Sequence, residues 1–260
     1  MIAWLETLPP FWAGVVVIGG FVVSTLVMGY LVGALTPLEI RTAHNDRAGF
    51  ILAVSGVIYA VLLAFVAIGV WQRFQEAQAR NFREAGSISA VYRGSESFRT
   101  STTLRANLRA YVRSVIEDEW PLMHRGGRSQ RSEALSEALD RDVRRLPVTS
   151  AQAQNVQAEM LSAMDAALMD RETRLTFDLR GINGTLWVVL IAGGYLTVAF
   201  TYLFGFDRRI MQQLMIGGLS LMIGLMLFLI VAMDYPYRGS ITVQPEAFRS
   251  LLDSFNAVGR

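Results

Sequence analysis

The 260-residue sequence has no lysine and no cysteine, and only two histidines, His44 and His124. Without cysteine there are no disulfides, no thiol nucleophiles and no thiolate metal ligands. Its absence leaves the compartment open, because exported proteins can lack it too. The histidines sit in different polar segments with no glutamate at ligand spacing, so neither a zinc site nor any other metal site is expected. With lysine absent, all 24 basic residues are arginine against 22 acidic ones, a net charge of +2. So small an excess does not describe a nucleic-acid binder. A P-loop, a G-x-S-x-G elbow and any paired catalytic constellation are also missing. No catalytic residue and no cofactor is therefore expected, and the chain does not read as an enzyme.

The most informative absence is local. Segments 11–35, 49–71, 186–206 and 214–233 contain no Asp, Glu, Arg, Lys or His. A bilayer core about 30 Å thick needs roughly 20 apolar residues of helix. Within lipid the backbone must satisfy its own hydrogen bonds, which selects helix. These segments read as four transmembrane helices around a charged helical insert, 72–185, followed by a tail, 234–260. The fold class is all-α, polytopic, with the lipid bilayer as first partner. The first run is longer than a signal-peptide core and is led by Glu6 without positive charge, so it reads as a retained span.

An even number of crossings puts both termini and the insert on one side. Flanking arginines on that side are Arg73, Arg80, Arg83, Arg171, Arg174, Arg180, Arg238 and Arg249, against Arg41, Arg47, Arg208 and Arg209 on the other. The excess favours a cytoplasmic insert in a bacterial inner membrane. Leaving the insert out of the count reverses the balance.

The insert reads as helix throughout. After Trp71 the second span is expected to continue as one helix at least to Gly86, with Glu76 and Arg80 four apart in the favourable order. A following helix, capped by Ser101 or Thr102, carries Leu104, Leu108, Tyr111, Val112, Val115 and Ile116 on one face and is expected to stop at Trp120-Pro121. After a loop at 123–130, Ser132 opens a short helix that Pro147 ends. Thr149 or Ser150 caps a long one to about Leu179, with a seam of Val156, Met160, Ala163 and Ala167. In the tail, Pro245 begins a helix whose Phe248, Leu251, Leu252 and Phe255 share a face that must dock on the insert, a neighbouring subunit or the membrane. With no repeat and no low-complexity linker, insert and spans read as one structural unit.

Charge-free spans exclude the ionisable groups that ion-coupled pumps use, but not a passive pore. In the second span Val54, Ile58, Val61, Phe65 and Ile68 form one stripe. It reads as an apolar pore lining contributed by each copy of a homo-oligomer passing small ions, or as ordinary helix packing. Gly29 and Gly33 fit close helix approach. Asp234, where the fourth span leaves lipid, opposes the helix dipole and calls for a cationic partner. Arg238, Arg180 and Arg174 are the candidates for this interfacial polar latch, with Asn183 joining them; the other reading is an ion or headgroup site. Glu117, Asp118 and Glu119 point around their helix rather than converging, so a solvated face or arginine partners is expected rather than calcium.

Several strings in order, Gly56-Val57-Ile58-Tyr59 running to Val70-Trp71, Arg83-Glu84-Ala85, Tyr92-Arg93, Tyr111-Val112-Arg113, Glu119-Trp120-Pro121, Trp187-Val188-Val189-Leu190 and Asp234-Tyr235-Pro236-Tyr237-Arg238-Gly239, resemble the bacterial bestrophin-like domain family, whose function is not established. The resemblance runs from about Gly49 to Phe248. It implies kinship to bestrophins, which are pentameric anion channels with a helical cytosolic domain and both termini inside. Their calcium clasp and phenylalanine-rich neck do not map residue by residue; Phe65 and its aliphatic neighbours stand where a neck would be. The other functional class is a membrane-anchored scaffold or sensor that binds a partner or lipid through its insert and tail.

Overall fold

A computed structural model of the chain describes residues 9–37, 41, 45–177, 181–206, 208–238 and 241–258. The described residues form helices and connecting turns, with no strand among them. They are α1 (Pro10–Gly14), a π-helical turn (Val15–Gly19), α2 (Gly20–Leu35), α3 (Asn45–Ser95), α4 (Thr102–Ser114), a second π-helical turn (Val115–Glu119), α5 (Trp120–Met123), α6 (Gln130–Arg144), α7 (Ala151–Phe177), α8 (Gly184–Tyr202), α9 (Arg209–Met233) and α10 (Glu246–Val258). Four helical stretches, Phe11–Leu35, Ala48–Ser95, Gly184–Tyr202 and Arg209–Met233, are long and apolar enough to cross a bilayer. In α3 the charge-free part is 48–72, bounded by Arg47 and Arg73, and the longer remainder that follows it carries charged and polar residues.

The expectation of a single structural unit is not met. The chain divides into one compact unit of Met1–Gln72, Gly181–Asp234 and Gly239–Ile241, and a second of Arg73–Arg180, Tyr235–Arg238 and Thr242–Arg260. No linker composition marks the boundary because α3 passes through it as uninterrupted helix.

In the first unit hydroxyls hold the spans together. Thr25 donates to Ser220 at 2.8 Å, Tyr202 to the Thr25 carbonyl at 3.0 Å, and Tyr59 to the Leu190 carbonyl at 2.9 Å. Such bonds between spans are worth about 0.6 kcal/mol each on average, so close packing supplies the rest. A Cβ at Gly29 would lie 2.6 Å from Ile216, and at Gly193 2.7 Å from the Tyr59 ring.

In the second unit the predicted stripes become the core. Leu104, Leu108, Tyr111, Val112 and Val115 are buried together with Met160, Met164 and Ala167. Ser150 caps α7 by accepting from the Ala153 N–H at 3.1 Å. The shorter α6 is capped from Ser129, three residues earlier than expected, accepting from Ser132. Of the three docking options for the tail, α10 takes the insert. Phe248 and Phe255 are buried, Phe255 stacks on Tyr92 at 3.9 Å, and Trp120 donates to the Val243 carbonyl at 3.1 Å.

The helix expected to stop at Trp120-Pro121 continues to Met123. The π turn at Val115–Glu119 immediately precedes the proline. A proline ring clashes with the carbonyl four residues back in a regular α-helix, and the wider turn relieves that crowding.

Candidate functional site

Two places in the fold stand out. In the first unit Tyr59, Leu63, Val66 and Val70 of α3 are buried. At about 100° per residue these four share one side of the helix. Val54, Ile58, Val61, Phe65 and Ile68 fall nearly opposite, and all five are exposed, Phe65 by 71%. Tyr59 fixes this rotation, because its ring lies over Gly193 and its hydroxyl reaches the Leu190 carbonyl. An apolar stripe therefore faces away from the chain's own helices.

The residues grouped as an interfacial latch are placed as follows. Asn183 caps α8 by accepting from the Thr185 N–H at 3.1 Å. Asp234 is buried and accepts from the Ile182 backbone N–H at 2.7 Å. Arg180 lies outside the described residues. Arg238 belongs to the second unit, its guanidinium against Gly126, whose φ of +74° and missing side chain leave the room it uses.

Arg174 lies at the centre of a buried ion network in the second unit. Its Nε donates to Glu84 Oε2 at 2.8 Å, and its Nη2 to Glu84 Oε1 at 2.9 Å and Glu119 Oε1 at 2.7 Å. One turn earlier, Arg171 Nη2 donates to Glu119 Oε2 at 2.5 Å and to Glu133 at 3.2 Å. Arg174 also lies over the Trp120 ring at 5.0 Å and the Phe248 ring at 5.7 Å. The Tyr111 hydroxyl donates to Glu84 at 3.3 Å. Burial pushes the Glu84 carboxyl above its ordinary range, although Arg174 opposes the shift. For Glu119 burial acts the same way, but Arg174 and Arg171 together outweigh it and hold the carboxyl low. The acidic run thus splits three ways, as its positions around the helix require. Glu119 is buried, Asp118 pairs with Arg131 at 3.1 Å, and Glu117 is exposed.

A family model described as Bestrophin-like domain matches residues 12–248. The chain belongs to the Bestrophin-like domain family. Among solved structures, this bestrophin-like chain resembles a point variant of a bacterial bestrophin homologue from Klebsiella pneumoniae, with TM-score 0.66 and 11% identity over 91% of this chain and 98% of that one. A structure of the same homologue solved by zinc phasing gives TM-score 0.58 and 12% identity over 90% and 95%. A structure described as a membrane protein variant gives 0.67 and 11% over 90% and 94%. At such identities the likeness speaks for the fold. Among curated proteins none matches the sequence.

The bestrophin-like fold thus carries an outward apolar stripe on one unit and an internally neutralised ion network in the other. The buried part of the network sets two carboxylates, Glu84 and Glu119, against two guanidiniums, with the half-exposed Glu133 at its edge, and has no open position toward solvent at Arg174, which is 0% exposed. That arrangement holds helices together and does not suit proton transfer to a substrate. Its parts were legible one by one, since Arg171 and Arg174 are three apart on one helix face and Glu84 and Glu119 fall within the family strings. Their convergence was not visible, because α3, the second π turn and α7 bring it about across up to 90 residues.

Proposed function

We propose that copies of this bestrophin-like protein assemble into a passive anion channel of the bacterial inner membrane. Its pore runs along the second span, lined by Val54, Ile58, Val61, Phe65 and Ile68, with insert and both termini cytoplasmic. The observation that carries this reading is the orientation of α3. The stripe is exposed on the side opposite the Tyr59 seat, where another copy or a pore axis would meet it. Its aliphatic and phenylalanine surface is of the kind that gates by dewetting, with no coupling charge needed. Family membership supplies the bestrophin type. The scaffold reading gains nothing from the tail, whose apolar face is already used within its own unit.

Planar-bilayer recording of the purified protein is expected to show anion-selective conductance, and Phe65→Ala, which removes the largest side chain of the stripe, to raise it. Absence of conductance across a wide range of voltage, pH and calcium would sink the reading.

A further inference from the structure

Arg41 lies between the first and second spans, on the opposite side of the membrane from the termini by the even-crossing count. Its side chain is only 7% exposed. Nη1 donates to Gln212 Oε1 at 3.1 Å, while the buried Nε has no hydrogen-bond partner. Gln212 is turned for this contact, since its Nε2 donates to the Phe204 carbonyl at 3.4 Å. A neutral amide oxygen does not compensate a buried guanidinium, and buried charges are normally paired.

Two cavities of about 340 and 210 Å³ open beside it, and Arg41, Arg209 and Gly33 line both. A Cβ at Gly33 would lie 3.6 Å from Arg41 Nη1, so a larger side chain there would occupy this space. The N-terminus of the 25-residue α9 meets the same place. It has no side-chain cap and no acidic residue in its first turn. Its free N–H groups and dipole favour an anion. Among the described residues no acidic side chain lines either cavity.

We infer that Arg41, Arg209 and the start of α9 form a binding site for a phosphate-type oxyanion, supplied by a lipid headgroup or by free phosphate. Guanidinium forks match such oxyanions better than any other side chain. The site stands apart from the pore stripe and does not depend on conduction.

The test uses full-length protein stripped of lipid into a zwitterionic detergent. Inorganic phosphate is titrated against thermal unfolding, and phosphatidylglycerol is compared with phosphatidylcholine by native mass spectrometry. Wild type is expected to bind at least one probe, and Arg41→Gln to bind it about tenfold or more weakly, the scale of a lost charged hydrogen bond. Gly33→Leu fills the space without removing charge and is expected to weaken binding similarly. Arg113→Gln, an exposed charge in the second unit, is expected to leave it unchanged. Response to phosphate alone identifies a free anion, and retention of phosphatidylglycerol over phosphatidylcholine identifies a headgroup. Wild type binding neither probe overturns the site, as does wild-type binding in both Arg41→Gln and Gly33→Leu. Should Arg41→Gln fail to fold, Gly33→Leu decides.

Discussion

Two carboxylates on one guanidinium respond to acid in opposite directions. Glu119 has its carboxyl held below the ordinary value near 4.5, so its ionised form stabilises the fold above that pH. That contribution is lost as pH falls through the lowered value. Glu84 has its carboxyl raised, so the folded chain holds the proton more tightly than the unfolded one. Stability from this group declines as pH rises from its ordinary value through the raised one. Thermal unfolding followed across pH is therefore expected to lose its acid limb in Glu119→Gln and its decline above about pH 4.5 in Glu84→Gln. If both variants change the same limb, the division of roles is wrong. Removing the shared cation is harsher. Arg174→Met leaves two carboxylates buried beside a single Arg171, and breaking a buried pair in this way costs about 3–5 kcal/mol. A chemical-denaturation midpoint equal to wild type would contradict that.

Among the elements, the spans were legible because exclusion of charge over a membrane length is a one-dimensional signal. The continuous α3 was legible too, since nothing between Trp71 and Gly86 breaks helix. The course of the chain at Pro121 was not, because a proline signals a break and carries no sign of the π turn that lets helix pass it. The tilt of α3 about its own axis was equally hidden, for it depends on where Tyr59 finds a groove. That groove exists because residues 193 and 194 of α8 have no side chain, with Cβ positions only 2.7 and 2.9 Å from the tyrosine. Gly193→Ala is expected to destabilise the first unit by about 1–3 kcal/mol through overpacking. Gly218→Ala, which meets nothing within 4 Å, is expected to be neutral or mildly stabilising. Thermal stability in micelles distinguishes them; equal effects would mean that Tyr59 has freedom to move.

For the whole molecule, the absence of cysteine becomes a tool, because any introduced thiol is unique. If copies meet along the second span, Phe65→Cys is expected to form an interchain disulfide under mild oxidation. Val23→Cys, on the exposed face of the first span, is expected not to. Monomer alone from Phe65→Cys, seen on non-reducing gels of native membranes, would remove support for a central second span. The division into two units was hidden from the sequence by the same helix that joins them, and by the tail's return to the insert after two further spans. That return sets an order of events. Tyr92 stacks on Phe255, and Arg109 donates to the Phe255 carbonyl at 2.9 Å, so the core of the second unit includes residues made after the fourth span. During synthesis the insert must wait, its apolar faces incomplete, until both remaining spans and α10 have been made. α10 acts as a closing signal, and a chain cut just before it would carry the four described spans yet leave the second unit open.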